Sequence, residues 1–560
     1  MKTWNLGNTT VRNPERIKAG LRILQEQFEG KVFDLSAQRE FFESLLSAGL
    51  IEGDPPQEAN RAASGRKWQS VCNKLGLIQR STRINGIITV TDAGNALLSD
   101  DTLESDIYLR QLLKVQLPSP TESNLDNASI HPFYLVLAIS VELKELCMDG
   151  LSKEEIALFV QSSTNDRQVD EIVEKIKKYR SLRDAKEGKV NKRRFFLEQL
   201  ANKTHELYGD AANVQKARTL QDYSDTTARY SAITGIFGMG RQSIVIKEDQ
   251  YNLAKAIVTT GPPPILSGDD FLDMFHNPML PALPTDNTDF LLRDISTLVK
   301  RLDELSKQTG STKENRINVR SADILALKRR REDLEQELIS LKEIQFYHAQ
   351  NNPEQVEDIR NLFESIKARE IIGGSDYRPA WAEWGVWRIF LSINTISNPV
   401  NQTRGFKLNS ELYPTHHAKA GAADLCFEYK NNIVIPAEVT LATNERQFNM
   451  EGEAVKFHVK SVVEANQGST VIGVFTAPEI HVATAHEFFG AEFYSQKMGR
   501  VVKLDIVPLT FEQIESLLPG QSNSCNNGDQ LLSKLKDLIR LKDRSKDGSI
   551  WLQQINDNLM

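Results

Sequence analysis

Cysteine is scarce in this chain. Cys72, Cys147, Cys426 and Cys525 are the four among 560 residues, and no two of them form a CxxC pair. That spacing argues against a disulfide framework and a structural zinc site, and it fits reduced thiols in the cytoplasm. Long apolar runs are missing too: no stretch reaches the roughly 18 residues that a membrane-spanning helix requires. The N-terminal MKTWNLGNTTVRNPERIKAGL has no apolar signal core. A positive balance is also absent. Lys and Arg number 68 against 75 Asp and Glu, a formal net charge of −7, which argues against a uniform cationic coat for nucleic acid. What remains is a globular composition, 40% hydrophobic and 26% charged. The chain is too long for one core, so three or four domains are expected.

The cations that are present cluster. Residues 61–83, RAASGRKWQSVCNKLGLIQRSTR, hold six Lys or Arg and no acid, and residues 175–203 hold eleven against three acids. Such islands suit phosphate contacts, although a solvated helix face is the simpler account of charge alone. Position distinguishes the first island. It covers a helix-like KWQSVCNKLGLI and a polar turn STRING, followed by a β-rich IITVT and a helix start at DAGNALL. Helix, hairpin, helix is the winged-helix order, in which the helix before the hairpin can enter a DNA groove. Arg66, Lys67 and Arg83 are therefore the candidate DNA-binding residues. LSKEEIALFV begins with Ser152 as an N-cap and Glu155 at capping-box spacing, and a long basic helix is expected around Val173–Arg183. A second helix–hairpin unit is expected at TTARYSAITGIFGMGRQSIVIKED, with Gly238 and Gly240 in the turn and SIVI as the strand. Residues 1–260 then read as a bipartite recognition module.

Proline-rich TTGPPPILSG and NPMLPALP interrupt the pattern. Beyond them, Leu291, Ile295, Leu298, Leu302 and Leu305, then Leu327, Leu334, Leu338 and Leu341, mark an amphipathic helical pair. KQTGSTKENR is a natural turn between the two, which favours an intramolecular hairpin over a dimeric coiled coil. From about residue 355 the pattern changes. RPAWAEWGVWRIFLSI reads as an apolar helix with one acid, Glu383. ADLCFEY and NIVIPAEVT read as strands, QFNMEGEAVKFHVKSVVEA as a helix, STVIGVFTAP as a buried strand and RVVKLDIVPLT as another. The expected fold is multidomain α+β. It comprises winged-helix-type recognition subdomains at 1–125 and 126–262, a helical linker domain at 263–352, and an α/β domain with a mixed sheet at 353–560.

Chemistry concentrates between Gly421 and His458. Asp424 and Glu438 lie on consecutive strands, and Glu451 and His458 follow on a helix. Magnesium takes oxygen ligands and binds through one or two carboxylates plus water and substrate phosphate, which this pattern could supply. With 75 acidic residues in the chain, a strand–Asp–turn–strand–Glu pattern also arises by chance. Glu383, among Trp381, Trp384 and Trp387, could be a helix charge stabilised by the dipole, but an acid is costly to bury there without a partner. His416 and His417 read as loop residues, and Glu445 and Glu453 as solvated.

The order helix–strand–strand–helix–strand, with acids on the first helix and the middle strands, resembles the PD-(D/E)XK nuclease fold. WAEWGVWRIF, GAADLCFEY, PAEVT, QFNMEGEAVKFH and FTAPEI resemble the AlwI family of type IIS restriction endonucleases and their strand-nicking relatives. LSKEEIALFVQSSTNDRQVDEI, TTARYSAITGIF and NPMLP are similar to that family as well. The resemblance implies that Asp424 and Glu438 ligate Mg2+, with the Val439 carbonyl and Glu383 completing the metal set. It adds Glu451 and His458 to the catalytic group, His458 against phosphate or the attacking water. Ala423 replaces the Pro of the general motif, and Thr440 replaces the Lys of the D/E-x-K triplet, although the family's own triplet is EVT-like. Lys456 is a candidate for the missing charge, one helical step off the Glu451–His458 face.

The implied function is a type IIS restriction endonuclease that hydrolyses duplex DNA a short distance outside an asymmetric site. The alternatives are a site-specific nicking endonuclease, a catalytically silent winged-helix DNA-binding protein, or a nuclease without sequence preference acting on RNA or damaged DNA. The implied partners are double-stranded DNA, a transient homodimer or second subunit for the second strand, and a cognate DNA methyltransferase; no membrane is involved.

Overall fold

The computed structural model describes residues 3–559 apart from 52–56, 81–85, 121–126, 149, 187, 241, 310–322, 369–377, 409–411 and 419–420. Contacts gather the chain into two units, Met1–Arg301 with Asn315–Glu335, and Leu302–Glu314 with Gln336–Met560. In the first unit one hydrophobic cluster runs from Trp4 to Leu283, across both segments that the sequence suggested as separate recognition subdomains.

Helix α1 (Leu35–Ser47) packs on α2 (Glu58–Lys74). Gly65 permits this close crossing, because a Cβ there would lie 2.0 Å from the Gln38 carbonyl oxygen. α2 ends at Leu75 and Gly76, the latter at φ +66°, a left-handed conformation natural to glycine. Ile78 therefore opens strand β1 (Ile78–Arg80) instead of ending the helix, as the sequence had suggested. β1 pairs antiparallel with β2 (Ile88–Val90), and the Thr91 hydroxyl caps α3 (Asp92–Leu98) by accepting from the Gly94 N–H. Helix, two-stranded hairpin and helix follow in the expected order. The turn that carries Arg83 lies outside the described residues.

The Ser152–Glu155 capping box is formed, and the basic helix is α4 (Val169–Asp184). Helix α5 (Val214–Ala232) leads into β3 (Phe237–Met239) and β4 (Ser243–Ile246), which is the expected SIVI strand. Gly238 lies within β3, paired with Val245, and not in the turn. β4 also pairs with Leu151–Ser152, so the hairpin is extended to three strands. Of the predicted apolar stripe on α6 (Thr288–Thr309) and α7 (Ile324–Ala349), Leu291, Ile295, Leu298, Leu302, Leu327, Leu334 and Leu338 are buried. Arg331 on α7 meets Asp294 on α6 at 2.6 Å, which ties the two helices within one chain. The division between units runs through both of them, and most of the KQTGSTKENR turn lies outside the described residues.

In the second unit, α8 (Arg378–Leu391) is buried from Ala380 to Leu391 without exception. Such a mostly apolar helix belongs inside a core, and the two charges it takes in, Glu383 and Arg388, each have a hydrogen-bond partner there. β5 (Leu425–Tyr429) and β6 (Ile433–Val439) form an antiparallel hairpin, Tyr429 opposite Ile433 and Leu425 opposite Ala437. Its turn holds Asn431 and Asn432 at φ +67° and +55°, and asparagine tolerates that left-handed region better than most residues. α9 (Asn444–Ala465) follows. The expected STVIGVFTAP strand is split into β7 (Thr470–Val471) and β8 (Gly473–Ala477), both parallel to β6. After α10 (Val482–Phe489), β9 (Glu492–Ser495) and β10 (Arg500–Lys503) make a separate antiparallel ribbon. β11 (Ile506–Thr510) rejoins the main sheet parallel to β8. RVVKLDIVPLT is thus two strands of two different sheets. The main sheet is mixed, as expected. No helix among the described residues is long and apolar enough to cross a membrane.

Candidate active site

The β5–β6 hairpin sets the geometry of the acidic cluster. Because Leu425 lies opposite Ala437, Asp424 and Glu438 fall at the same end of the hairpin, away from the Asn431–Asn432 turn. Asp424 Oδ2 accepts from the Val439 N–H at 2.8 Å, which fastens the residue before β5 to the last residue of β6. Glu438 is buried, and its Oε1 lies 2.8 Å from Nδ1 of His458 on α9. About two helical turns earlier on α9, Glu451 Oε1 accepts from the Thr440 hydroxyl at 2.8 Å. Val455 and Val459 seat α9 in the core. Glu451, Val455 and His458 therefore share the sheet-facing side of the helix, at spacings of four and three.

Glu383 enters from α8. It is 3% exposed, and its Oε2 accepts from the Ala418 N–H at 2.8 Å. The tryptophans beside it face other partners: Trp384 donates to the Leu412 carbonyl and Trp387 to Thr403. Electrostatics tie the acids together. Burial, then the Asp424 carboxylate, pushes Glu383 up to about 9. Burial, then Glu438, pushes Asp424 up to about 8, against the Val439 N–H, which lowers it. Glu438 is raised by burial despite the lowering effect of His458, and His458 is raised chiefly by its bond to Glu438. Buried like charges resist ionising together, and a dication would relieve that strain.

The donor set fits a hard divalent cation in kind. Its arrangement is not preassembled. Among the described residues no three His, Cys, Asp or Glu side chains are drawn close enough to hold an ion as they stand. One oxygen of each is engaged, Glu383 Oε2 by the Ala418 N–H, Asp424 Oδ2 by the Val439 N–H and Glu438 Oε1 by His458, which leaves the second oxygen of each carboxylate to turn toward an ion.

Lys456, the candidate for the missing motif charge, has its Nζ paired with Glu453 and Glu487. Glu453 and Glu445 are exposed, as expected. His417 is exposed, while His416 ends the short strand Pro414–His416 and does not lie in a loop. Two contributors escaped sequence reasoning. Thr440 was visible as a motif departure, but its bond to Glu451 was not. Gln447 is fully buried and joins the segment after β6 to the one after β8, bonding to the Ala442 and Glu479 carbonyls and the His481 N–H.

In the first unit, Arg66 and Lys67 are exposed on α2. The other described cations of that island are engaged: Arg61 with Glu43, Lys74 with Asn5 and Arg80 with the Phe33 carbonyl. In the second island Lys175, Lys177, Arg180, Arg183, Lys192 and Lys203 all meet carboxylates. Most of its charge is neutralised locally.

A family model described as AlwI restriction endonuclease matches residues 73–517, well over half of the chain. No curated protein matches. Among solved structures, the small subunit of the heterodimeric restriction endonuclease R.BspD6I is similar at 23% identity, over 36% of this chain and 100% of that one, with a TM-score of 0.30. The BpuJ1 endonuclease binding domain, solved with pyrene- and phenanthrene-modified DNA, is similar at 14% identity, over 46% of this chain and 87% of that one, with a TM-score of 0.31.

Proposed function

Since the chain belongs to the AlwI restriction endonuclease family, and is thereby a nuclease acting on DNA, we propose that it is a magnesium-dependent type IIS enzyme whose active centre is the cluster of Glu383, Asp424, Glu438, Glu451 and His458. The observation that carries this reading is the convergence of four carboxylates and a histidine from α8, the β5–β6 hairpin and α9, with Asp424 and Glu438 at one hairpin end. The remaining expectations fit beside it. Residues 353–560 act as a PD-(D/E)XK nuclease domain. The helix–hairpin units of residues 1–125 and 126–262 act as winged-helix readers, with Arg66 and Lys67 against DNA, and 263–352 spaces the two functions.

Asp424, Glu438, the Val439 carbonyl and Glu383 are the groups that would hold the cation. Bound there, a divalent ion supplies positive charge against the developing phosphorane and acidifies water. The protein's own residues do the rest. The Val439 N–H orients the Asp424 carboxylate, leaving its other oxygen for the ion. Thr440 points Glu451 toward the same space, where its carboxylate can orient the attacking water and take up its proton. His458, oriented by Glu438 through Nδ1, presents Nε2 to the phosphate. One chain carries one such centre and so cuts one strand per event. Hydrolysis of both strands then requires a second copy, a second subunit or rebinding, and a nicking enzyme is the alternative outcome.

Incubation of supercoiled plasmid with the full chain and magnesium tests the reading. Discrete nicked or linear products that vanish with chelator are expected. A smear would replace it with a nuclease lacking sequence preference, and no cleavage would leave a DNA-binding protein.

A further inference from the structure

The β9–β10 ribbon takes no part in the centre described above. Among the described residues it pairs only with itself, Glu492 with Lys503, Phe493 with Val502, Tyr494 with Val501 and Ser495 with Arg500. One face is fastened to α9: the buried Ser495 hydroxyl donates to Glu464 at 2.7 Å, and Lys460 Nζ lies 5.1 Å from the centre of the Phe493 ring. The other face turns outward, with Tyr494 61% and Val501 58% exposed. Lys503, opposite Glu492, shares that outward face, Arg500 lies opposite Ser495 on the other face, and Lys497 is near the tip. All three are exposed, and none forms an ion pair with a carboxylate among the described residues. α9 is the helix that carries Glu451 and His458. From His458 to Glu464 is about 9 Å along the axis, and exposed Phe457 lies on the stripe Phe457, Lys460, Glu464 that meets the ribbon.

We propose that this ribbon, with Phe457 beside it, is a DNA-contacting surface that grips the duplex within a few base pairs of the phosphate under attack. The inference rests on the nuclease reading of the neighbouring centre. Three cations against one acid between Glu492 and Lys503, a local excess of positive charge in a chain of net charge −7, match a polyanion. A two-stranded ribbon is a shape that the major groove admits, and about 9 Å corresponds to roughly three base-pair steps of 3.4 Å.

The test uses the full chain carrying Asp424→Ala, so that the probe is not cut, and a labelled linear fragment of plasmid DNA. Lys497→Ala, Arg500→Ala and Lys503→Ala together should weaken binding about tenfold. The plot of log affinity against log salt should become shallower by about 2 to 3, close to 0.9 for each lost phosphate contact. The charge-preserving set Lys497→Arg, Arg500→Lys and Lys503→Arg should keep the parent slope, with the thermal midpoint unchanged in both. An unchanged slope in the alanine variant would overturn the proposal, as would loss of self-association in sedimentation at an unchanged slope. The readout does not depend on cleavage. If Asp424→Ala cuts at full rate, the proposed centre fails while the slope still judges the ribbon.

Discussion

At the scale of single residues, the account turns on how each acid is held. Thr440 occupies the place of the motif lysine and carries no charge, yet it is the donor that fixes Glu451. Replacing it with Val should lower the cleavage rate about tenfold to a hundredfold, as for other groups that orient a ligand. Ser should restore most of the rate, and equal rates for Val and wild type in a plasmid time course would remove Thr440 from the mechanism. The raised carboxyls make a second prediction. A folded-state value above the unfolded one gives stability that is complete below about pH 4 and lost as pH climbs toward the value of about 9 for Glu383. The metal-free chain should therefore melt progressively lower through that window, and Glu383→Gln should flatten the trend. Magnesium, which binds the ionised form, should raise the melting temperature more at about pH 8 than at about pH 6. A magnesium shift independent of pH would count against the shared site. The segments that bring the five proposed site residues together were legible as an apolar helix around Glu383, two strands, and a four-three spacing on α9, while the choice of those five came from the family resemblance. The Thr440–Glu451 bond was not legible, because it depends on how α9 docks against the end of β6, and no local pattern encodes that.

At the scale of elements, the hairpins carry the reasoning. β5 and β6 were readable as apolar runs separated by KNN, and the turn asparagines explain why they fold back in the register that joins Asp424 to Glu438. Shorter strands were less readable. β1 hid in the tail of an apparent helix until Gly76 ended it, and β10 ran on into β11 because two four- or five-residue strands in one apolar segment look like a single strand. The ribbon strand β9 left no recognisable signal at all. For α2, which bears Arg66 and Lys67, the close approach at Gly65 yields a testable consequence. Gly65→Ala would set a methyl against the Gln38 carbonyl and should cost about 1–3 kcal/mol of stability through displaced packing. Duplex binding should weaken with it, measured by thermal melting and titration of a DNA fragment. A neutral effect on both would mean that the α1–α2 crossing relaxes freely.

At the scale of the whole molecule, the family match from 73 to 517 covers parts of both units, so recognition and hydrolysis are expected of one chain. A net charge of −7 means that DNA must be held by local cationic surfaces, and specific binding should fall steeply with salt. With the one proposed centre per chain acting alone, nicked circles should accumulate before linear plasmid, and direct linearisation without a nicked intermediate would point to concerted cutting by a paired copy. The central claim is that Asp424 belongs to a magnesium-dependent hydrolytic centre. The most direct measurement compares the full chain with Asp424→Ala on supercoiled plasmid with magnesium, alongside binding of both to a labelled duplex fragment. The account predicts discrete cleavage by the parent, none by the variant, and comparable binding by the two. Cleavage by Asp424→Ala at the parent rate would contradict it.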